Sequence, residues 1–143
     1  MVLDFCVSQI IIFFYIRNLS FINLKKNIYI VEDNDDIREL VGYLFESEGY
    51  HVTSFANATE FKTHVATTLP DIFVLDVMLP DGNGMDICNK LKADHATTNI
   101  PVLLMSANTN MTYIGKESRA DDFISKPFDI DELVNRVNKL LGN

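Results

Sequence analysis

Apolar positions in this chain follow two alternating patterns. Short apolar runs of strand length lie at 27–31 (Asn-Ile-Tyr-Ile-Val), 51–55, 72–75 (Ile-Phe-Val-Leu), 100–105 and 123–124. Between them apolar residues recur three and four apart, the spacing of one helical face. Ile37, Leu40, Val41, Leu44 and Phe45 form the first such stripe, which stops at Gly49. Ala58, Phe61 and Val65 form a second within 57–67, and Ile87, Cys88 and Leu91 a third within 85–93. A fourth helix, 108–120, is less regular and carries Met111, Tyr113 and Ile114; the last carries Ile130, Leu133, Val134, Val137, Leu140 and Leu141 before Gly142. Five strands alternating with five helices predict a doubly wound α/β domain on a parallel sheet. The runs at 72–75 and 102–104 have no polar alternation, so both faces of those strands are expected to be covered. The strand at 51–55 alternates and is expected near an edge.

Residues 1–26 break this pattern and are read as an apolar extension outside the core fold, with the domain at 27–143. Phe5 to Ile16 is nearly all apolar. It is shorter than the roughly 20 residues that span a bilayer, and Asp4, Arg17 and Asn18 bound it. It is a poor signal peptide, having a leading acid and no small-residue cleavage site. Contact with a membrane surface or a partner is the second reading of this segment, and an added core element the third. If it inserted, Arg17, Lys25 and Lys26 would hold the following domain on the cytoplasmic side.

Composition narrows the function. The 143 residues give room for one domain with its own core, and the net charge of −8 speaks against direct nucleic-acid binding. The domain is more acidic than the whole, because it holds all but three of the 12 basic side chains and all but one of the 20 acidic ones. Cys6 and Cys88 have no metal-ligand spacing and read as free thiols of a reducing, cytoplasmic compartment.

The polar residues that change the picture stand where the apolar runs stop. Glu32 and Asp33 follow the first strand, Asp76 ends the third, Ser106-Ala107 ends the fourth and Lys126-Pro127 follows the fifth. Open parallel sheets bind ligands at that carboxyl rim. Asp76 leads into Pro80-Asp81-Gly82-Asn83-Gly84, a run of turn residues; taken alone it reads equally as a rim acid or a solvated loop acid. Asn34 or Asp35 can cap the first helix. Several carboxylates on one rim are tolerable only with a cation or a lysine among them. Carboxylates and a main-chain carbonyl suit Mg²⁺ rather than zinc, and His51, His64 and His95 are expected as scattered surface residues. A metal, a lysine, a hydroxyl and a nucleophilic carboxylate are the equipment of phosphoryl transfer. The proline after Lys126 is a candidate cis residue.

Val-Glu-Asp-Asn-Asp-Asp-Ile-Arg, Leu-Asp-Val-Met-Leu-Pro-Asp-Gly-Asn-Gly, Met-Ser-Ala and Ser-Lys-Pro-Phe stand in this order and register. From residue 27 to the end the chain thereby resembles the receiver domain of two-component response regulators, of the chemotaxis-regulator kind. The resemblance implies a flavodoxin-like sheet of order 2-1-3-4-5 and a phosphorylation-activated switch of a phosphorelay. By it Asp76 is the phospho-acceptor, supplied by a sensor histidine kinase or a histidine phosphotransfer protein. Asp33, Asp76 and the backbone carbonyl of Met78 would ligate Mg²⁺, with Glu32 acting through water. Lys126, Ser106 and the Ala107 backbone N–H would hold the phosphoryl group, and Phe123 with Ser106 would form the switch. A downstream effector would dock on the face between the fourth helix and the fifth strand. Such a domain catalyses only its own phosphorylation and dephosphorylation.

The chain departs from the family pattern in its N-terminal segment, in Arg119 where glycine is usual, and in Phe123 where tyrosine is commoner. Arg119 would be strained if its position needed a positive φ. Two other readings are a receiver fragment of a longer DNA-binding response regulator and a Mg²⁺-dependent aspartyl phosphatase. The latter needs a general acid two residues after the nucleophile, where Met78 stands. The family's lifetime-tuning positions correspond to Met78 and Asn108, and an apolar Met78 implies slow loss of phosphate.

Overall fold

In a computed structural model the described residues are 2–19, 24–107 and 110–143. Strands β1 (Asn27–Val31), β2 (His51–Phe55), β3 (Ile72–Asp76), β6 (Val102–Ser106) and β7 (Asp122–Ser125) form one parallel sheet in the order β2-β1-β3-β6-β7. Counting only these five strands, that is the expected 2-1-3-4-5. Five helices connect or follow them: α2 (Asp35–Ser47), α3 (Ala58–Val65), α4 (Gly84–Ala93), α5 (Met111–Glu117) and α6 (Ile130–Leu140).

Alternation along each strand divides the core into two layers. Tyr29, Val31, Phe73, Leu75, Val102 and Leu104 face α3, α4 and α5, where they meet Phe61, Ile87, Cys88, Leu91 and Ile114. Ile28, Ile30, Ile72, Val74, Leu103 and Met105 face the other way, onto Val41 and Phe45 of α2 and Leu133 and Val137 of α6. Every residue of β3 and β6 is buried, as unbroken apolar runs require, whereas β2 lies at the edge and exposes His51 and Ser54.

The helix stripes hold in their centres and fail at their margins. Leu40 is 52% exposed, not inward, because Val41, Leu44 and Phe45 already fill the face of α2 toward the sheet. Ile130, at the first turn of α6, is likewise exposed. Helix α5 is shorter than its expected 108–120 span, ending at Glu117 with Ser118 as C-cap; Asn108 lies outside the described residues. Arg119 carries no strain, since among the described residues only Gly49 and Gly142 have positive φ, and each follows a helix. Residues 78–83, expected as turn alone, also form a two-residue antiparallel ribbon, β4 (Met78–Leu79) with β5 (Gly82–Asn83).

The N-terminal segment is a sixth helix, α1 (Val2–Leu19). Its side chains from Asp4 to Arg17 are all exposed. No helix among the described residues is long and apolar enough to cross a membrane. Lys26 anchors the start of the domain: its ammonium donates to the Leu141 carbonyl at 2.8 Å, and its own carbonyl accepts from the His51 N–H at 2.9 Å.

Candidate functional site

Strand register brings the candidate residues together. Val31 pairs through Leu75 and Leu104 to Phe123, and Ser106 lies opposite Ser125. Parallel strands in this register end level, so Glu32, Asp33, Asp76, Ser106 and Lys126 share one rim. Glu32, Asp76 and Ser106 are buried there, while Asp33 is exposed.

The lysine expected among the carboxylates is present. Lys126 Nζ donates to Glu32 Oε2 at 2.5 Å and to Asp76 Oδ2 at 3.0 Å. The Lys126-Pro127 peptide bond is cis, and the Lys126 N–H donates to the Ser106 carbonyl at 2.8 Å. Burial pushes the Glu32 carboxyl above its ordinary pKa and the Asp76 charge adds to this, against the pull of the Lys126 hydrogen bond. For Lys126 burial works against the charged form, yet its hydrogen bonds to Glu32 and Asp76 outweigh that and raise its pKa. The buried acids and the cation therefore hold one another in place.

Backbone groups complete the holding of both acids. Glu32 Oε1 accepts the Asn34 N–H at 3.2 Å, and Asp76 Oδ1 accepts the Met78 N–H at 3.3 Å. Asn34 is the cap of α2, its side chain accepting from the Ile37 N–H. Glu32, Asp33 and Asp76 each offer a carboxylate oxygen within 4.8 Å of the others. An all-oxygen donor set of this kind fits a hard cation that keeps part of its water shell, and among the described residues no histidine or cysteine joins it. His51 and His95 are exposed, as expected. His64 is not a plain surface residue: it is half-buried, its ring lying 5.3 Å from Tyr29 and 5.2 Å from Phe55.

The remaining sequence candidates lie around this centre. Ala107 is exposed just beyond Ser106. The Met78 side chain is 74% exposed. Phe123, half-buried, packs against the layer formed with α3, α4 and α5. A Cβ placed on Gly115 of α5 would lie 3.5 Å from its ring.

The supporting contacts of three residues escaped the sequence reading. Arg38 donates to the Glu32 carbonyl at 2.9 Å and pairs with Asp35 at 2.6 Å; their i, i+3 spacing was the available signal. Asp81 accepts from the Ala58 and Thr59 N–H groups at 2.7 and 2.9 Å, capping α3 from the loop after the acceptor strand. Gly84 sits against the Asp76 main chain, its N–H donating to the Val77 carbonyl at 2.8 Å. No local pattern announces the last two, because both contacts join elements distant in sequence or depend on loop shape.

A five-stranded doubly wound fold with acids, a hydroxyl residue and a lysine on its carboxyl rim defines a class, and comparison with known proteins gives the same class. The family model for the response regulator receiver domain matches residues 28–138, and the chain belongs to that family. The DNA-binding response regulator MtrA of Mycobacterium tuberculosis is 35% identical over 120 residues, which are 82% of this chain and 51% of that protein. The chain thus spans about half the length of the curated relatives it matches. The solved signal receiver domain of a signal transduction histidine kinase from Syntrophus aciditrophicus superimposes with a TM-score of 0.76 at 31% identity, covering 82% of this chain and 90% of that one. The receiver domain of a sensor histidine kinase from Pseudomonas aeruginosa, which has a magnesium ion coordinated in its active site cleft, has a TM-score of 0.76 at 22% identity and covers 84% of this chain and 100% of that one. At that identity the likeness is one of fold.

Proposed function

We propose that the chain is a phosphorylation-activated switch that accepts a phosphoryl group on Asp76. The observation that carries this reading is the Lys126 ammonium held between Glu32 and Asp76, with Asp33 near enough to complete an oxygen site. The donor is a sensor histidine kinase or a histidine phosphotransfer protein. An Asp76 carboxylate oxygen attacks the phosphorus of phosphohistidine and forms the acyl phosphate bond as the P–N bond breaks. The bonding pair leaves with the imidazole nitrogen, which takes up a proton.

Mg²⁺ is the cation we assign to the rim, with Asp33, Asp76 and the Met78 carbonyl as ligands and Glu32 acting through water. When bound it neutralises charge on the phosphoryl oxygens. Lys126 turns from the carboxylates toward the new phosphoryl charge, and the Ser106 hydroxyl and Ala107 N–H donate to its oxygens. The shift of Ser106 lets Phe123 move, changing the α5 to β7 face on which an effector docks. Because Met78 cannot protonate a leaving alcohol, the domain catalyses only its own phosphorylation and dephosphorylation and is no aspartyl phosphatase. It acts in the cytoplasm and does not itself bind nucleic acid. The half-length match to DNA-binding regulators supports a second reading, that this chain is the receiver part of a longer DNA-binding regulator.

Intact mass after incubation with Mg²⁺ and acetyl phosphate tests the assignment. Wild type is expected to gain one phosphoryl group, Asp76→Asn none, and prior chelation should prevent the gain. An adduct retained in Asp76→Asn would overturn the choice of acceptor.

A further inference from the structure

We propose that α1 inserts into the face of a lipid bilayer and tethers the receiver domain there, with the Asp76 rim turned away from the lipid. The choice of lipid over a protein groove rests on how the apolar side chains are distributed. Ile10 to Ile16 are seven consecutive apolar positions, which at 100° per residue occupy the whole circumference of a helix. All seven are between 51% and 67% exposed. A protein groove covers one stripe of a helix and leaves a polar face to water. Only an apolar medium on every side removes this surface from water.

Length and charge say how α1 sits. From Asp4 to Arg17 is about 20 Å of helix, short of the roughly 30 Å hydrocarbon core, so the helix enters the bilayer without crossing it. Arg17, Lys25 and Lys26 follow the apolar run, the only bases in the first 26 residues. On a chain of net charge −8, Arg17 and Lys25 form a local positive end facing anionic headgroups, while Lys26 bonds into the domain. The junction with the domain is fixed at Lys26, which bonds to the Leu141 carbonyl beyond the end of α6 and to the His51 N–H at the start of β2. Strand β1 leaves that point and runs through the sheet to Glu32. The domain therefore hangs from the end of the sheet opposite its phosphorylation rim, leaving Asp76 open to a phosphoryl donor.

The test uses the full chain and the thiol that α1 itself supplies. Cys6 is exposed, whereas Cys88 is buried with its thiol pushed up to about 11, so a polarity-sensitive maleimide dye labels Cys6 selectively. The labelled chain is titrated with vesicles of phosphatidylcholine alone and of phosphatidylethanolamine with phosphatidylglycerol, and flotation is measured in parallel. The expected result is a blue shift and co-flotation, stronger with the anionic vesicles. Arg17→Gln with Lys25→Gln should remove the anionic preference. Ile11→Asp with Phe14→Asp should lower partitioning at least about tenfold, because a charged side chain in the apolar run opposes entry into lipid, while leaving circular dichroism and acetyl phosphate labelling of the domain unchanged. Wild type that stays with the aqueous fraction overturns the proposal. So does a lipid-free oligomer, lost in the double aspartate variant and unchanged by vesicles, which would mean that second copies cover α1.

Discussion

The Asp76 carbonyl oxygen lies where a side chain on Gly84 would have to pass: a Cβ there would come within 2.1 Å of it and 2.9 Å of the carbonyl carbon. The first residue of α4 thus presses directly on the main chain that carries the acceptor carboxylate. Gly84 does not have a positive φ, so the requirement is for space and not for backbone freedom. Gly84→Ala should cost about 1–3 kcal/mol of stability, as overpacking typically does. It should also slow phosphoryl uptake by displacing Asp76. Urea unfolding and the rate of mass gain with acetyl phosphate test both, and a variant with wild-type values in each would show that the loop adjusts freely.

Gly115 offers the opposite case. A Cβ there would make ordinary contact with the Phe123 ring at 3.5 Å, inside helix α5. Gly115→Ala is expected to raise stability by about 0.5–1 kcal/mol through helix propensity. The added methyl should restrict the ring and weaken any change in Phe123 on phosphorylation, seen in its aromatic NMR signals. A lower melting temperature would mean that the ring needs the space that the glycine leaves.

Lys126 is the sole cation bonded to the carboxylates of Glu32 and Asp76 among the described contacts. Lys126→Met leaves those buried acids facing each other. Breaking a buried pair costs about 3–5 kcal/mol, and at a solvent-accessible rim the loss should fall toward the lower figure. Added Mg²⁺ should restore part of it, since a bound cation supplies the missing charge. Denaturation of the variant with and without Mg²⁺ decides this; equal stability to wild type in metal-free buffer would show that the acids do not depend on the lysine.

Asp81 predicts a pH effect of defined sign. The Thr59 hydroxyl and the Ala58 N–H stabilise its carboxylate and lower its pKa from 3.8. Its folded value lies below its unfolded one, so the stabilisation is present in full above about pH 3.8 and is lost as pH falls through the lowered value. Asp81→Asn should therefore melt below wild type near neutral pH, and the two curves should converge in acid. A constant difference through that window would assign the effect to packing.

Met78 projects outward from the loop after the acceptor and offers no polar atom to orient an attacking water. Phosphate loss from Asp76 should be slower in wild type than in Met78→Asn, followed by mass after the donor is removed. Faster loss in wild type would refute this.

The sequence by itself determined the five strands, their order along the chain and the nature of the rim. Apolar runs too uniform for an exposed sheet require burial on both faces, and charged or hydroxyl residues mark where each run ends. Glu32, Asp33, Asp76, Ser106 and Lys126 were legible for that reason, as was the cis candidate at Pro127. Tertiary structure alone decided which carboxylates share the lysine, because that depends on strand register: Glu32 and Asp76 bond to it, and no bond to Asp33 is among the described contacts. It alone exposed the contacts of Gly84 with the Asp76 main chain and of Asp81 with the start of α3, made across loops whose path no periodicity encodes. It also placed Leu40 outside and His64 partly inside, since at the edge of a helix's buried face neighbouring packing outweighs hydropathy. For residues 4–17 the sequence specified only an apolar segment, and the structure shows it as a helix exposed around its whole circumference. The two layers of the sheet are already covered by α2 to α6, so α1 has no place in that core.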